Sequence, residues 1–165
     1  MTGPDMTPNR IPWPPIIFGA AALAGVLLHW YMPLPWLPDG PLRLGTAAIG
    51  LCGLCAGIAL EIVTFLTFRR HRTTILPHRG ASALITDGPF AKSRNPIYTG
   101  NTLLILSAGL LFGIVWLLPA GLVAAAMVQK LAIEREERHL AARFGATWEA
   151  YAARTPRWLG RSSGR

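Results

Sequence analysis

The spacing of charges constrains this chain more than any other feature. Between Arg10 and Asp39 lie 28 residues without a formal charge, and from Leu44 to Phe68 the only charge is Glu61. From Asn95 to Gln129 a further 35 residues carry none. About 20 apolar residues in a helix cross the roughly 30 Å of a bilayer's hydrocarbon. The chain has 165 residues, 52% of them apolar and 15% charged, where ordinary soluble domains run near 25% charged. A single all-α integral membrane domain is expected. The sixteen Lys and Arg against eight Asp and Glu do not indicate a nucleic-acid partner. Such a partner calls for positive charge spread over a polar surface.

The first uncharged run holds one span, about residues 15–31. Pro33, Pro35, Pro38 and Gly40 then impose a non-helical loop. The second holds one longer span, about 42–68. The third, as one straight helix, would be about 52 Å long, too much for a single crossing. Six basic residues lie between Arg69 and Arg94, and eight lie from Lys130 onward. A helical hairpin turning near Phe112–Pro119 puts both groups on the cytoplasmic side, as positive-inside bias requires. The expectation is about four transmembrane helices, with short hairpin arms at 98–115 and 118–133, a cytoplasmic loop at 69–97 and a cytoplasmic tail at 134–165. Both termini are then cytoplasmic. The first apolar segment runs on into Trp30 and Tyr31, which suit an interface belt better than a cleaved signal.

Several features have plain explanations. Cys52 and Cys55 have CxxC spacing but sit mid-span, where small apolar packing is the expected role. The four histidines are scattered without an i,i+4 pair, so no metal site is expected. No two glycines are separated by a single residue, which excludes a dinucleotide-binding fingerprint. Gly53/Gly57 and Gly109/Gly113 permit close helix approach. Glu61 stands apart. It lies eight residues, about 12 Å, before the basic boundary at Arg69, and an intramembrane acid requires either a function or a partner.

The polar segments carry the motifs. The first runs through Pro77-His78, then Gly88-Pro89-Phe90, then Ser93-Arg94-Asn95-Pro96-Ile97-Tyr98-Thr99-Gly100. The second runs through Glu136-Glu137-Arg138, Phe144-Gly145, Tyr151 and Pro156-Arg157-Trp158. Leu140, Phe144, Trp148 and Tyr151 recur at helical spacing and predict an amphipathic C-terminal helix. A charged Glu-Arg-Glu-Glu-Arg run is commonly a solvated face, and Arg94 with Glu137 can equally form a structural ion pair.

These motifs, in this order and separated by a hydrophobic hairpin, resemble the isoprenylcysteine carboxyl methyltransferase and phospholipid methyltransferase superfamily, in particular its short bacterial members. The resemblance spans about residues 77–159. Ala91-Lys92 departs from the usual Arg and aromatic, and Asn95 replaces a histidine common in the eukaryotic branch.

The resemblance implies S-adenosylmethionine as cofactor and methyl transfer to a lipophilic small molecule or lipid, at the cytoplasmic face of a bacterial inner membrane. It nominates His78, Gly88, Pro89, Ser93, Arg94, Asn95, Pro96, Tyr98, Gly100, Glu136 and Glu137 for the cofactor, and Arg94, Tyr98 and Glu61 for catalysis. Arg94 is a fork donor suited to the cofactor's carboxylate. Glu136 or Glu137 can accept from its ribose hydroxyls or amine. The Tyr98 ring can face a cationic methyl. The acceptor's nucleophile is open between carboxylate, amine and thiol. A four-helix transporter or a non-catalytic scaffold is the alternative, and a transporter would place its polar residues along a midplane path.

Overall fold

The computed structural model describes residues 13–37, 39–71 and 84–160. Helix α1 (Trp13–Tyr31) opens with prolines in its first turn, where a missing amide hydrogen costs nothing. Helix α2 (Pro41–Arg70) again has proline at its start and closes on Arg69 and Arg70, whose charge complements the helix dipole. A short 3₁₀ turn (Gly88–Ala91) leads to α3 (Pro96–Phe112). Gly113, in the left-handed region at φ 72°, terminates α3. Helix α4 (Leu117–Val128) passes through a π-helical turn (Gln129–Ile133) directly into α5 (Glu134–Phe144), and α6 (Ala146–Arg154) follows.

Three helical stretches are long and apolar enough to cross a membrane: α1, α2 and the continuous 28-residue helix Leu117–Phe144. Helix α3, with 17 residues, is a shorter apolar arm. Helices α3 and α4 are joined by a turn at 113–116. The boundaries differ in two respects. The third span begins at Pro96 and ends at Phe112, and the fourth does not stop at 133 but continues unbroken to Phe144.

The expected single amphipathic tail helix is two helices. Gly145 at φ 51°, ψ −127° adopts backbone angles that a side chain disfavours, and the chain turns there. Trp148 and Tyr151 are buried, whereas Leu140 and Phe144 are half-buried. The stripe is divided between two elements.

Ile17 and Phe18 of α1 meet Ala124, Val128, Ala132 and Ile133 in a buried apolar cluster, with Tyr98, Ile105 and Trp158 at its margin. Much of the remaining apolar surface faces outward: Leu23, Leu42, Ile49, Ile58, Phe65 and Leu122 are all exposed. That surface is far larger than a water-soluble monomer tolerates, and it is the surface a bilayer covers.

Helices α2 and α3 form the tightest seam. A Cβ on Gly50 would lie 2.5 Å from the Leu111 amide nitrogen and 2.8 Å from the Ser107 carbonyl oxygen. One on Gly53 would collide with the Ser107 hydroxyl, and one on Gly57 would lie 2.8 Å from Leu104. The small-residue spacing on α2 therefore serves packing inside this chain.

The two ends of the bundle differ. At one end the Trp116 indole donates to the Met32 carbonyl at 2.7 Å, and Trp36 packs over Gly113. Arg43 donates to the Leu111 carbonyl at 3.0 Å and the Leu110 carbonyl at 3.5 Å, capping α3. Arg43 is one of only two basic residues outside the two clusters, and its charge sits on helix-terminal carbonyls. The other end gathers the motifs.

Candidate active site

The loop before α3 and the tail after α6 are stitched together at the basic end. The Arg94 amide donates to the Pro156 carbonyl at 2.9 Å. The Ser93 hydroxyl and the Asn95 side-chain amide both donate to the Arg157 carbonyl, at 3.2 and 3.1 Å. Ser93 Oγ also accepts from the Asn95 amide at 3.1 Å. Thr99 reaches back to the Asn95 carbonyl at 3.0 Å. Buried hydroxyls and amides need such partners, so Ser93 and Asn95, nominated for a ligand, have their polar groups engaged in shaping the loop.

Glu137 is the centre of charge. Its Oε1 is 3.2 Å from Arg94 Nη1 and accepts from Arg157 Nε at 3.1 Å. Its Oε2 accepts from Arg157 Nη2 at 2.6 Å. The paired fork geometry with Arg157 is the strong form of this interaction, and the hydrogen bond to Glu137 raises the Arg157 pKa. The ion pair that the sequence allows between Arg94 and Glu137 is thus present, with Arg157 as a third member. Arg94 also lies over the Trp148 ring, 5.7 Å from its centroid. Its Nε is buried and has no hydrogen-bond partner among the described residues.

The remaining nominated residues divide between two faces of α3. Tyr98 turns toward the apolar cluster and lies close enough to Glu136 for the two to interact electrostatically. Gly100 turns toward α2: a Cβ there would sit 2.8 Å from Glu61 Cγ. Consecutive helical residues differ by about 100° in direction, so Glu61 and Tyr98 address different flanks of one helix. The structure does not bring Glu61, Tyr98 and Arg94 into one contact set.

Gly88 adopts φ 57°, and a Cβ there would lie 3.1 Å from Thr67 Oγ1. Its close approach is to α2. Pro89 and Pro96 sit at the starts of the 3₁₀ turn and of α3, where fixed φ sets the loop's direction. The Phe90 ring meets Phe68 edge-on at 5.3 Å, and His71 pairs with Asp87 at 2.8 Å. The Tyr151 hydroxyl donates to the Phe90 carbonyl at 2.7 Å, and burial raises its pKa. His78 lies outside the described residues.

Arg157 and Trp148 lie within the sequence motifs, but no local pattern marks either as part of the site. The Trp158 indole donates to Gln129 Oε1 at 2.8 Å, tying the tail to the π-helical turn. Such turns often mark functional sites, but no local pattern in the sequence signals this one.

With that geometry in place, the comparison with known families is decisive. A model of phospholipid methyltransferases matches residues 46–147. The chain belongs to the phospholipid methyltransferase family. The match takes in α2 from residue 46 onward, the motif loop, the hairpin, α5 and the first two residues of α6, and stops before Trp148, Tyr151 and the Pro156-Arg157-Trp158 segment. No curated protein and no solved structure gives a significant match. Membership makes the chain a membrane-bound methyltransferase with lipid-related chemistry.

Proposed function

We propose that this methyltransferase moves the methyl group of S-adenosylmethionine to a lipophilic acceptor delivered from the bilayer, at the cytoplasmic membrane face. The observation that carries the reading is Arg94. It is held between Glu137 and the Trp148 ring while its Nε remains buried without a partner among the described residues. A buried, unsatisfied guanidinium nitrogen is costly, and an anionic or hydroxyl oxygen of a ligand would satisfy it. The residues present fit the cofactor in this respect.

S-adenosylmethionine, when bound, supplies an electrophilic methyl on a sulfonium. In this reading Arg94 holds the cofactor's carboxylate through its free Nε. Glu136 offers acceptor oxygens to the cofactor's ribose hydroxyls or amine. Tyr98, beside Glu136, presents a ring to the methyl. Glu137, engaged by two arginines, orients Arg94 without needing to touch the cofactor. Trp148 and Tyr151 pack beneath the loop and exclude water. Alignment of the acceptor with the methyl is then the protein's principal contribution.

The transporter reading has less support. Apart from Arg43, which caps α3, Glu61 is the one charged residue on the described stretch 41–68 of α2, and α1, α3 and α4 carry none. A central polar path is not what these residues make.

The test is calorimetric titration of S-adenosylhomocysteine into the detergent-solubilised protein. Binding tighter than millimolar is expected. Arg94→Ala should weaken it by about 1.5–3 kcal/mol, the range for hydrogen bonds to charged groups. Absence of binding would overturn the reading.

A further inference from the structure

The basic end of α2 carries charge that the candidate active site does not use. Arg69 and Arg70 close the helix. Both are exposed, as is Lys92, just after the 3₁₀ turn. That turn lies across the last residues of α2. The Phe90 ring meets Phe68 edge-on at 5.3 Å, Gly88 approaches Thr67, and Asp87 pairs with His71 at 2.8 Å. These contacts bring Lys92, two residues beyond Phe90, to the helix end that the two arginines occupy.

No acid balances the three cations. Asp87, the carboxylate on the turn itself, is taken by His71. Glu134 is engaged by Lys130, and Glu137 by Arg94 and Arg157. Among the described residues no ion pair involves Arg69, Arg70 or Lys92. Like charges gathered this way repel, and an anion shared among them relieves that repulsion.

A second observation lies beneath the charges. Ile58, Ile62 and Phe65 are exposed, and with Arg69 they follow steps of four, three and four residues. That spacing aligns them on one face of the helix. The result is an apolar lane about 16 Å long that ends in a guanidinium. Helix α2 is long and apolar enough to cross a membrane. The lane therefore runs through hydrocarbon, and Arg69 stands where a long basic side chain reaches the headgroups.

We infer that the junction of α2 with the 3₁₀ turn binds a phospholipid whose head carries a net negative charge. Its phosphodiester is shared by Arg69, Arg70 and Lys92, and an acyl chain lies along Ile58, Ile62 and Phe65. Guanidinium forks match phosphate oxygens, and the lysine adds a point charge from a separate element. A head that also bears an ammonium brings a fourth cation to the cluster, so a net anionic head is preferred. The site is separate from the methyl acceptor's, sets no limit on which lipid is methylated, and does not rest on the methyl-transfer reading. Lys92 directly precedes Ser93 and Arg94, so the bound lipid ties the motif loop to the end of α2.

The test is native mass spectrometry of protein released from nanodiscs that hold equal phosphatidylglycerol and phosphatidylcholine of one acyl composition. The unaltered protein should retain phosphatidylglycerol about tenfold more than phosphatidylcholine, which corresponds to about 1.4 kcal/mol. Replacing Arg69, Arg70 and Lys92 together by Gln should equalise the two lipids. Lys92→Gln alone should lower the preference about twofold, an equal third of that free energy. Replacing Arg138, Arg143 and Arg154, exposed cations of α5 and α6, should leave the preference within about twofold, although it removes the same net charge. Millimolar inorganic phosphate should displace no lipid.

The three side chains have no ion-pair partner to lose, so each variant should unfold within about 2 °C of the unaltered protein in detergent without anionic lipid. Salt gives a check that needs no variant, since raising it should weaken the preference. Equal retention of both lipids by the unaltered protein would overturn the inference. So would an equal loss in the two triple variants, an unchanged preference in Lys92→Gln, a preference insensitive to salt, or displacement by inorganic phosphate, which would make this a site for free anions.

Discussion

Glu137 and Arg157, twenty residues apart in sequence, meet through two hydrogen bonds of 3.1 and 2.6 Å, and the same carboxylate holds Arg94. Removing the two partners has unequal consequences. Glu137→Gln leaves two guanidinium groups facing one neutral amide, with Arg94 and Glu137 side chains only 15% and 14% exposed. Arg157→Gln leaves one ion pair intact. Breaking a buried pair costs about 3–5 kcal/mol, and an exposed one about 0–1 kcal/mol. Glu137→Gln should therefore destabilise the protein by more than Arg157→Gln in denaturant titrations. Equal losses would show that Arg94 draws little from Glu137.

The Tyr151 hydroxyl gives a test of how the tail is held. Tyr151 is 2% exposed and its hydroxyl donates to the Phe90 carbonyl. Tyr151→Phe removes the donor and keeps the ring. The loss should be about 1–2 kcal/mol, seen as a fall in Tm of roughly 2–4 °C per kcal/mol for a chain of this size. An unchanged Tm would mean that the Phe90 carbonyl finds water once the hydroxyl is gone.

The α2–α3 seam predicts opposite outcomes for two glycines on one helix. A Cβ on Gly50 meets α3 backbone at 2.5 Å, whereas a Cβ on Gly45 meets nothing within 4 Å. Gly50→Ala should cost about 1–3 kcal/mol by forcing the helices apart. Gly45→Ala should be neutral or stabilise by up to about 1 kcal/mol, because alanine loses less conformational freedom in a helix. Similar behaviour of the two in thermal unfolding would contradict the packing.

Topology can be checked directly. The segment at Asp39 and the 113–116 turn share one end of the bundle, as the contacts Trp116–Met32 and Trp36–Gly113 require. A cysteine at Asp39 and one at Ala153, in a background without Cys52 and Cys55, should react with an impermeant maleimide from opposite sides of sealed vesicles. Labelling from the same side would remove the membrane-crossing role of α4.

The extent to which the sequence disclosed this structure depends on the range of the interaction. Charge-free runs are legible because they are a local property, and the hairpin because two basic clusters bracket it; that Gly113 ends α3 is seen only in the structure. Helices α1 and α2 lie within or around the first two charge-poor runs. The tail was misjudged because Leu140, Phe144, Trp148 and Tyr151 fit one helical period, yet one glycine conformation at residue 145 outweighs that period. The triad around Glu137 was half visible. Arg94 and Glu137 carry the sequence's nomination, but Arg157 joins them through side-chain hydrogen bonds to Glu137 twenty residues away, across the turn at Gly145, which periodicity does not encode. Ser93 and Asn95 read as ligand groups for the same reason, since nothing local reveals that the tail's carbonyl claims both.

The five-residue π-helical turn at Gln129–Ile133 acts as a phase shifter in a single long rod. A π turn is in effect one residue inserted into an α-helix, and each residue advances the helical screw by about 100°. Residues after 133 therefore point a little over a quarter of a revolution away from where α4's own register would send them. One rod thus keeps Ala124 and Val128 on α1 and still delivers Glu137 to Arg94 and Arg157. Deleting one residue from the turn would let the rod run straight, keep every apolar contact upstream and swing the carboxylate out of reach of both arginines. The chemistry at this end of the molecule is in that sense timed by a single extra residue.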